Sequence, residues 1–410
     1  MVPGGKGEMR SVPRAKVPGP LAPFADGFRA ELDRLGYTPQ SREYKVNQMA
    51  SLSRWLEGQG LDVGDLDGCR VPAFSVAFLA VRGRPLGSKA LRPLLDWLRS
   101  EGVIGTDPTV PGGPVDELIG DYRRWMVTER GLSARTVGRY EQTASRFLAG
   151  RAGLVGGSGV EGLNGEAVTV FLLSEVGRGL VPGSVQGRVA ELRSLLRYLY
   201  LQGLIDTELA GTVPPVPGWK VTGVPPRMTT AEVRALLDSC DRSTPTGRRD
   251  LAMLMLLARL GLRAGEVAAL ALDDIDWRAG ELVVRGKGRR ADRLPLPADV
   301  GDAVAAYLMD SRPRVESRTV FVSANAPYLR LGSTAVSETV RRQCIRAGLA
   351  PRRAHRLRHA LATDLLDRGA SLMDIGQVLR QRDLATTAAY AKVDHAALRE
   401  LALPWPVTVR

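Results

Sequence analysis

Apolar residues recur at helical spacing through most of the chain, and the first half repeats one pattern twice. Gly36-Tyr37-Thr38 opens a segment carrying Val46, Met49, Leu52 and Trp55, and Gly131-Leu132-Ser133 opens another with Tyr140, Phe147 and Leu148. Thr38 and Ser133 stand where a side chain caps the first turn of a helix. Each segment leads to an apolar helix, around Phe74 to Val81 and Val168 to Val176. A basic turn rich in Gly and Pro follows each, Arg82-Gly83-Arg84-Pro85 and Arg178-Gly179-Leu180-Val181-Pro182. Each closes with a helix and a Gly-aliphatic pair: Leu94, Leu95, Trp97, Leu98 and then Gly102-Val103-Ile104; Leu195, Leu196, Tyr198, Leu199 and then Gly203-Leu204-Ile205. The pattern predicts a duplicated four-helix module, with an insertion in the second copy near Gly153 to Ser158.

Composition marks the boundaries. Residues 1–22, rich in Pro and Gly with Lys6, Arg10, Arg14 and Lys16, read as a disordered basic arm. The two helical domains are expected over 23–110 and 111–206, a Pro-rich linker over 207–228, and a third domain over 229–410, opened by a helix at Thr230-Ala231-Glu232. In that domain Leu251 to Leu262 reads as an apolar helix. The period then changes: Glu281 to Arg285 reads as a strand, Gly286-Lys287-Gly288 as a turn, and Arg293 to Pro297 as a return edge strand. The expected fold is mainly α with a small β-hairpin.

No apolar run is long enough to cross a bilayer and no signal peptide is evident, so a cytoplasmic, nucleoid-associated protein is expected. Cys69, Cys240 and Cys344 lie far apart and read as small core residues, not as a disulfide framework or zinc site. The formal charge of +13 favours a polyanion, nucleic acid before others. Only seven of the 57 basic residues are lysines, which also fits a coding bias toward Arg. Against that background a Lys carries information. The third domain has only Lys287 and Lys392, and Lys can give up a proton near neutral pH when its surroundings lower its pKa, whereas Arg cannot.

The candidate chemistry lies in the third domain. Gly261-Leu262-Arg263 precedes Glu266, and Lys287 sits at the hairpin turn. His355-Arg356-Leu357-Arg358-His359 puts His355 and Arg358 three residues apart, on one helix face. Thr386-Thr387-Ala388-Ala389-Tyr390 follows an apolar helix over Leu372 to Leu379. Taken alone, Tyr390 is an ordinary half-buried aromatic. In this order over 229–410, the motifs resemble those of the tyrosine recombinases, the phage-integrase family, and in particular the recombinases of bacterial mobile elements, some of which act as trios. The two helical modules resemble that family's SAM-like DNA-binding domains.

The resemblance implies a site-specific recombinase in which Tyr390 attacks a DNA phosphate and leaves a 3′-phosphotyrosine and a free 5′-hydroxyl. Arg263 and Arg358 then stabilise the charge on the phosphoryl oxygens, Lys287 protonates the leaving 5′-oxygen, and His355 assists proton transfer. Glu266 braces the Arg263 region and His359 supports the site. No metal or other cofactor is implied. Lys392 and His395 read as phosphate contacts or surface residues. Duplex DNA is the expected partner, contacted in the helical domains by Arg82, Arg84, Lys89, Arg135, Arg139, Arg178 and Arg188, with a homotetramer for strand exchange and partner recombinases of the same element. The sequence departs from the family at Gln381, where His or sometimes Trp stands nine residues before the Tyr. An amide donates a hydrogen bond but does not carry a proton as His does. Two alternatives follow: a catalytically weakened homologue that serves as a DNA-binding accessory protein, and a type IB topoisomerase with the same chemistry.

Overall fold

The computed structural model describes residues 14–66, 70–83, 85–86, 90–105, 113–155, 157–179, 182–214, 228–286 and 291–381. Contacts group the described parts of 1–65, 73–103 and 223–410 into one compact unit and those of 66–72 and 104–222 into a second.

The repeated pattern folds as two similar sets of helices. The first set is α1 (Ala25–Arg34), α2 (Pro39–Gly58), α3 (Arg70–Arg82) and α4 (Arg92–Ser100); the second is α5 (Pro114–Thr128), α6 (Ala134–Val155), α7 (Gly165–Gly177) and α8 (Pro182–Leu201). Thr38 caps α2 by accepting from the Ser41 N–H at 3.3 Å, and Ser133 accepts from the Thr136 N–H at 3.4 Å at the start of α6. The matched glycines Gly36 and Gly131, Gly83 and Gly179, and Gly102 and Gly203 all take positive φ, a conformation that a Cβ disfavours. After Gly102 the Val103 N–H returns to the Leu98 carbonyl at 3.0 Å, and after Gly203 the Leu204 N–H returns to Leu199 at 2.9 Å. The first core holds Phe28, Leu32, Val46, Met49, Leu52, Phe74, Leu94 and Leu98; the second holds Tyr122, Met126, Phe147, Leu148, Val168 and Leu192.

Two expected boundaries need correction. The arm drawn as free to residue 22 is fastened from Arg14 onward. Arg14 pairs with Asp26 at 2.5 Å, the Ala15 N–H donates to Glu43 at 2.8 Å, and Leu21 is fully buried with its N–H on the Ser53 hydroxyl at 3.0 Å. Pro and Gly give this segment no regular structure, but α2 supplies partners for its backbone. The linker drawn from residue 207 also begins later. Leu209, Ala210 and Val213 are buried in the second core, because their apolar side chains outweigh the irregular backbone around them.

The third part is built on α10 (Pro245–Arg259), which follows α9 (Thr230–Asp238). Every residue of α10 from Arg249 to Ala258 is buried. Its one acid, Asp250, is fully buried and held by Arg249, Arg342 and Gln343, each at 2.9 Å. Thr229 caps α9, one residue before the expected start, in a reciprocal box with Glu232. Beyond α11 (Ala264–Ala269) come β1 (Ile275–Asp276), β2 (Glu281–Arg285) and β3 (Ala291–Pro295), an antiparallel sheet with β2 in the centre. Leu282 and Val284 of β2 alternate into the core. The return strand starts two residues earlier than expected, because Ala291 and Asp292 pair with Arg285 and Val284, and Pro297 instead caps α12 (Ala298–Asp310). Then follow α13 (Ser333–Arg346), α14 (His355–Asp367) and α15 (Leu372–Val378). α12 and α14 pack on α10, and α15 closes on α14 through Ala362, Ile375 and Leu379. Cys240 and Cys344 are buried, and Cys69 lies outside the described residues. Among the described residues no helix is long and apolar enough to cross a membrane.

Candidate active site

Three chain reversals converge beside α10. α10 ends at Arg259 with Leu260 as its C-cap, and Gly261 turns left-handed at φ 58°. The chain re-emerges extended at Arg263, the residue before α11. Glu266, one turn into α11 and buried, accepts from the Arg263 N–H at 2.8 Å through Oε2 and from Arg263 Nη1 at 2.8 Å through Oε1. The Arg263 guanidinium is thus fixed by its own helix and still half exposed.

The second reversal starts α14. His355 is exposed at its first turn, and Arg358, on the same face, is buried to 1% exposure. Arg358 donates through Nη1 to the Gly261 carbonyl at 2.5 Å and through Nη2 to the Leu379 carbonyl. One guanidinium therefore fastens the turn before Arg263 to the end of α15. The imidazoles of His355 and His359 share a hydrogen bond between their Nε2 atoms at 2.7 Å, one donating and the other accepting. Burial, then the neighbouring His355, Arg356 and Arg358, pull the His359 pKa down to about 4. Partial desolvation of its ring by the residues packed beside it, followed by Arg358, Arg356 and Arg263, lowers that of His355. A proton on this pair is therefore disfavoured, and the two rings rest neutral.

The third reversal ends α15. Gln381, partly buried, returns its N–H to the Gly376 carbonyl at 2.8 Å. Arg380, which the sequence reading missed, reaches back from this turn. Its Nη2 meets Glu266 Oε2 at 2.8 Å and its Nε lies 3.9 Å from the Asp292 carboxylate on β3. Burial disfavours the Arg380 charge and the Glu266 carboxylate opposes that effect. No local pattern betrays this residue: it sits just past a short helix, and its partner is far away in sequence.

Arg263, Glu266, His355, Arg358, His359 and Gln381 thus belong to one cluster. Lys287 and Tyr390 lie outside the described residues; β2 ends at Arg285, two positions before Lys287. Among the described residues, no group of His, Cys, Asp and Glu is arranged to hold a metal ion. What the described cluster offers an anion such as a phosphodiester is the half-exposed Arg263 guanidinium beside the imidazole pair, braced from behind by the buried Arg358 and Arg380.

The basic residues expected to contact DNA fall into different environments. Arg82 is exposed at the end of α3, and Arg135 is exposed on α6. Arg139 and Arg178 are exposed but paired, with Glu191 at 2.6 Å and Glu175 at 3.6 Å. Arg188 is largely buried between Glu175 at 3.4 Å and Glu191 at 2.9 Å, so its charge is spent inside the second bundle. Arg84 and Lys89 lie outside the described residues.

Comparison with known proteins agrees on one family. Residues 226–397 match the model of the phage integrase family. The chain is 41% identical over 394 residues to the integrase/recombinase y4rA of Sinorhizobium fredii (strain NBRC 101917 / NGR234), covering 95% of each chain. It is 29% identical over 293 residues to the tyrosine recombinase XerD of Listeria monocytogenes serotype 4b (strain F2365), covering 70% of this chain and 97% of that one. The fold is shared with XerH site-specific recombinase bound to a palindromic difH substrate in a post-cleavage complex, at a TM-score of 0.57 and 18% identity over 72% of this chain and 97% of that one.

Proposed function

The chain belongs to the phage integrase family of tyrosine recombinases, and from that premise we propose that it recombines specific DNA sites for a mobile element through a 3′-phosphotyrosine at Tyr390. The observation that carries this reading is the gathering of Arg263, His355 and Arg358 by three chain reversals, the last of which leads into the segment that bears Tyr390.

In the proposed reaction the Tyr390 oxygen attacks phosphorus and forms a P–O bond while the bond to the 5′-oxygen breaks. Lys287 delivers a proton to that oxygen, which leaves as a 5′-hydroxyl. The His355 imidazole, held neutral by its surroundings, takes the tyrosine proton as that proton leaves in the transition state. Arg263, half exposed, holds a phosphoryl oxygen as charge builds on it, and Arg358 joins it on a second oxygen once bound DNA draws one of its terminal nitrogens from the Gly261 or Leu379 carbonyl. Attack by a 5′-hydroxyl from a second duplex reverses the steps and exchanges strands. Exchange of two duplexes requires four active sites, so the working form is a DNA-bound tetramer.

The carrying experiment uses a nicked duplex containing the DNA that flanks the gene. Once the nick lets the short 5′-hydroxyl strand diffuse away, wild type accumulates a covalent protein–DNA adduct, and Tyr390→Phe leaves none. Absence of an adduct with wild type on every flanking repeat sinks the reading. Gln381 in the His position supports a second reading, a DNA-binding accessory protein, which binds the same duplex without forming the adduct.

A further inference from the structure

Arg380 occupies a backbone position that its residue type disfavours. α15 closes with two bonds, from the Arg380 N–H to the Gln377 carbonyl at 2.9 Å and from the Gln381 N–H to the Gly376 carbonyl at 2.8 Å. This is the helix ending in which the residue past the cap turns left-handed, and Gly is its usual occupant. Arg380 takes φ 52° there; among the described residues Tyr328 is the only other non-glycine at positive φ. An L side chain in that region is strained, because its Cβ crowds the backbone. A second cost is visible in the side chain: its Nη1 is buried and has no hydrogen-bond partner among the described residues. Glycine at this position would remove both costs, so the reason for Arg lies in what the guanidinium touches.

It touches two other parts of the site. Glu266 divides its carboxylate between two arginines, Oε1 to Arg263 and Oε2 to Arg380. Asp292, opposite Val284 in the hairpin, lies 3.9 Å from Arg380 Nε. We propose that Arg380 is a positioning residue that ties the turn bearing Gln381 to Arg263 through Glu266 and to the hairpin through Asp292. The proposal rests on the recombinase reading above. It has an electrostatic consequence as well. Without Arg380, Glu266 is left to Arg263 alone, and a neutralised Arg263 is a weaker partner for a phosphoryl oxygen. With Arg380 present, the two guanidinium groups exceed the one carboxylate they share, and Arg263 keeps charge for the phosphate.

Two measurements on the full chain test this, with Arg380→Gly and Arg380→Lys. Glycine relieves the backbone and removes the unpaired Nη1, gains that oppose the loss of the Glu266 pair, so the variant is expected to stay folded and to bind the nicked flanking duplex as wild type does. Its adduct forms about tenfold to a hundredfold more slowly at saturating duplex, the scale of a misplaced site. Arg380→Lys recovers part of the rate, because an ammonium reaches Glu266 but lacks the fork to serve Asp292 as well. Hydrogen exchange of the DNA-free protein is the second measurement: in Arg380→Gly the amides of 263–266 and 291–295 exchange faster, while those of α10 do not change. Unchanged exchange overturns the proposal whatever the cleavage rate, and so does a wild-type cleavage rate in Arg380→Gly. If wild type forms no adduct, the recombinase reading falls, and exchange alone then decides whether the tie exists.

Discussion

Arg358 donates to the carbonyl oxygen of Gly261 at 2.5 Å, and its other terminal nitrogen serves Leu379. Both carbonyls sit at reversals, where the helices that end there leave them without backbone partners. A forked, planar donor can satisfy two such oxygens from one buried place, whereas an ammonium on a shorter reach cannot. Arg358→Lys is therefore expected to lose about 1–3 kcal/mol of stability, the penalty for one buried acceptor left unmade. Denaturant unfolding measures it, and an unchanged midpoint would mean that other groups serve these carbonyls.

Gly261 itself is the second point of tension. A Cβ there would lie 2.7 Å from Leu379 Cδ2 and 3.0 Å from Leu361 Cδ2, on a backbone already at φ 58°. Gly261→Ala combines a backbone cost of about 1 kcal/mol with overpacking of about 1–3 kcal/mol. Gly265, four residues on, is helical and has open space around the place of its Cβ. Gly265→Ala should be neutral or stabilising by up to about 1 kcal/mol. Comparing the two midpoints separates the demand of the turn from a general intolerance of substitution near the site; equal effects would refute it.

How much of this was visible in the sequence follows from the range of each signal. The helices, the Thr38 and Ser133 caps and the strand Glu281 to Arg285 were legible, because period and capping act within a few residues. The order of Arg263, His355, Arg358 and Tyr390 was legible only through resemblance, since each residue taken alone has an ordinary explanation. Arg380 was invisible, because its partners Glu266 and Asp292 become neighbours only when α11, β3 and α15 meet. Arg14 to Leu21 misled for the same reason: local composition describes the segment, and Glu43 and Ser53, which hold it, lie far along the chain.

The histidine pair predicts an acid-side loss of stability. In the unfolded chain an imidazole takes its proton near 6.5, and folded His359 takes it only at about 4. Between these values the unfolded state binds more protons, so stability falls as pH drops through the window and is independent of this pair above it. His359→Gln keeps a hydrogen-bonding group beside His355 and removes the titration. Its stability should therefore fall less steeply than that of wild type between pH 6.5 and 4. Parallel curves for the two proteins would show that the slope belongs to other groups.

Arg188 and Arg82 were expected to play the same part, and the structure gives them opposite surroundings. Arg188 stands between Glu175 and Glu191, both only 2% exposed, and also donates to the Thr143 hydroxyl at 2.5 Å. Removing it leaves Glu191 to Arg139 and Glu175 to Arg146 and Arg178, so the loss is that of its charged hydrogen bonds, about 1–3 kcal/mol. Arg82 is exposed at the end of α3, where truncation changes stability by about 0.5 kcal/mol at most. DNA binding should separate them in the other direction. A phosphate contact contributes about one unit to the slope of log affinity against log salt, so Arg82→Ala is expected to flatten that slope and Arg188→Ala to leave it unchanged among the molecules that remain folded. Unfolding curves for both variants, with binding measured over a salt series, provide the test. A stable Arg188→Ala with a flattened slope would return Arg188 to the DNA-binding surface and take it out of the ionic core of the second bundle.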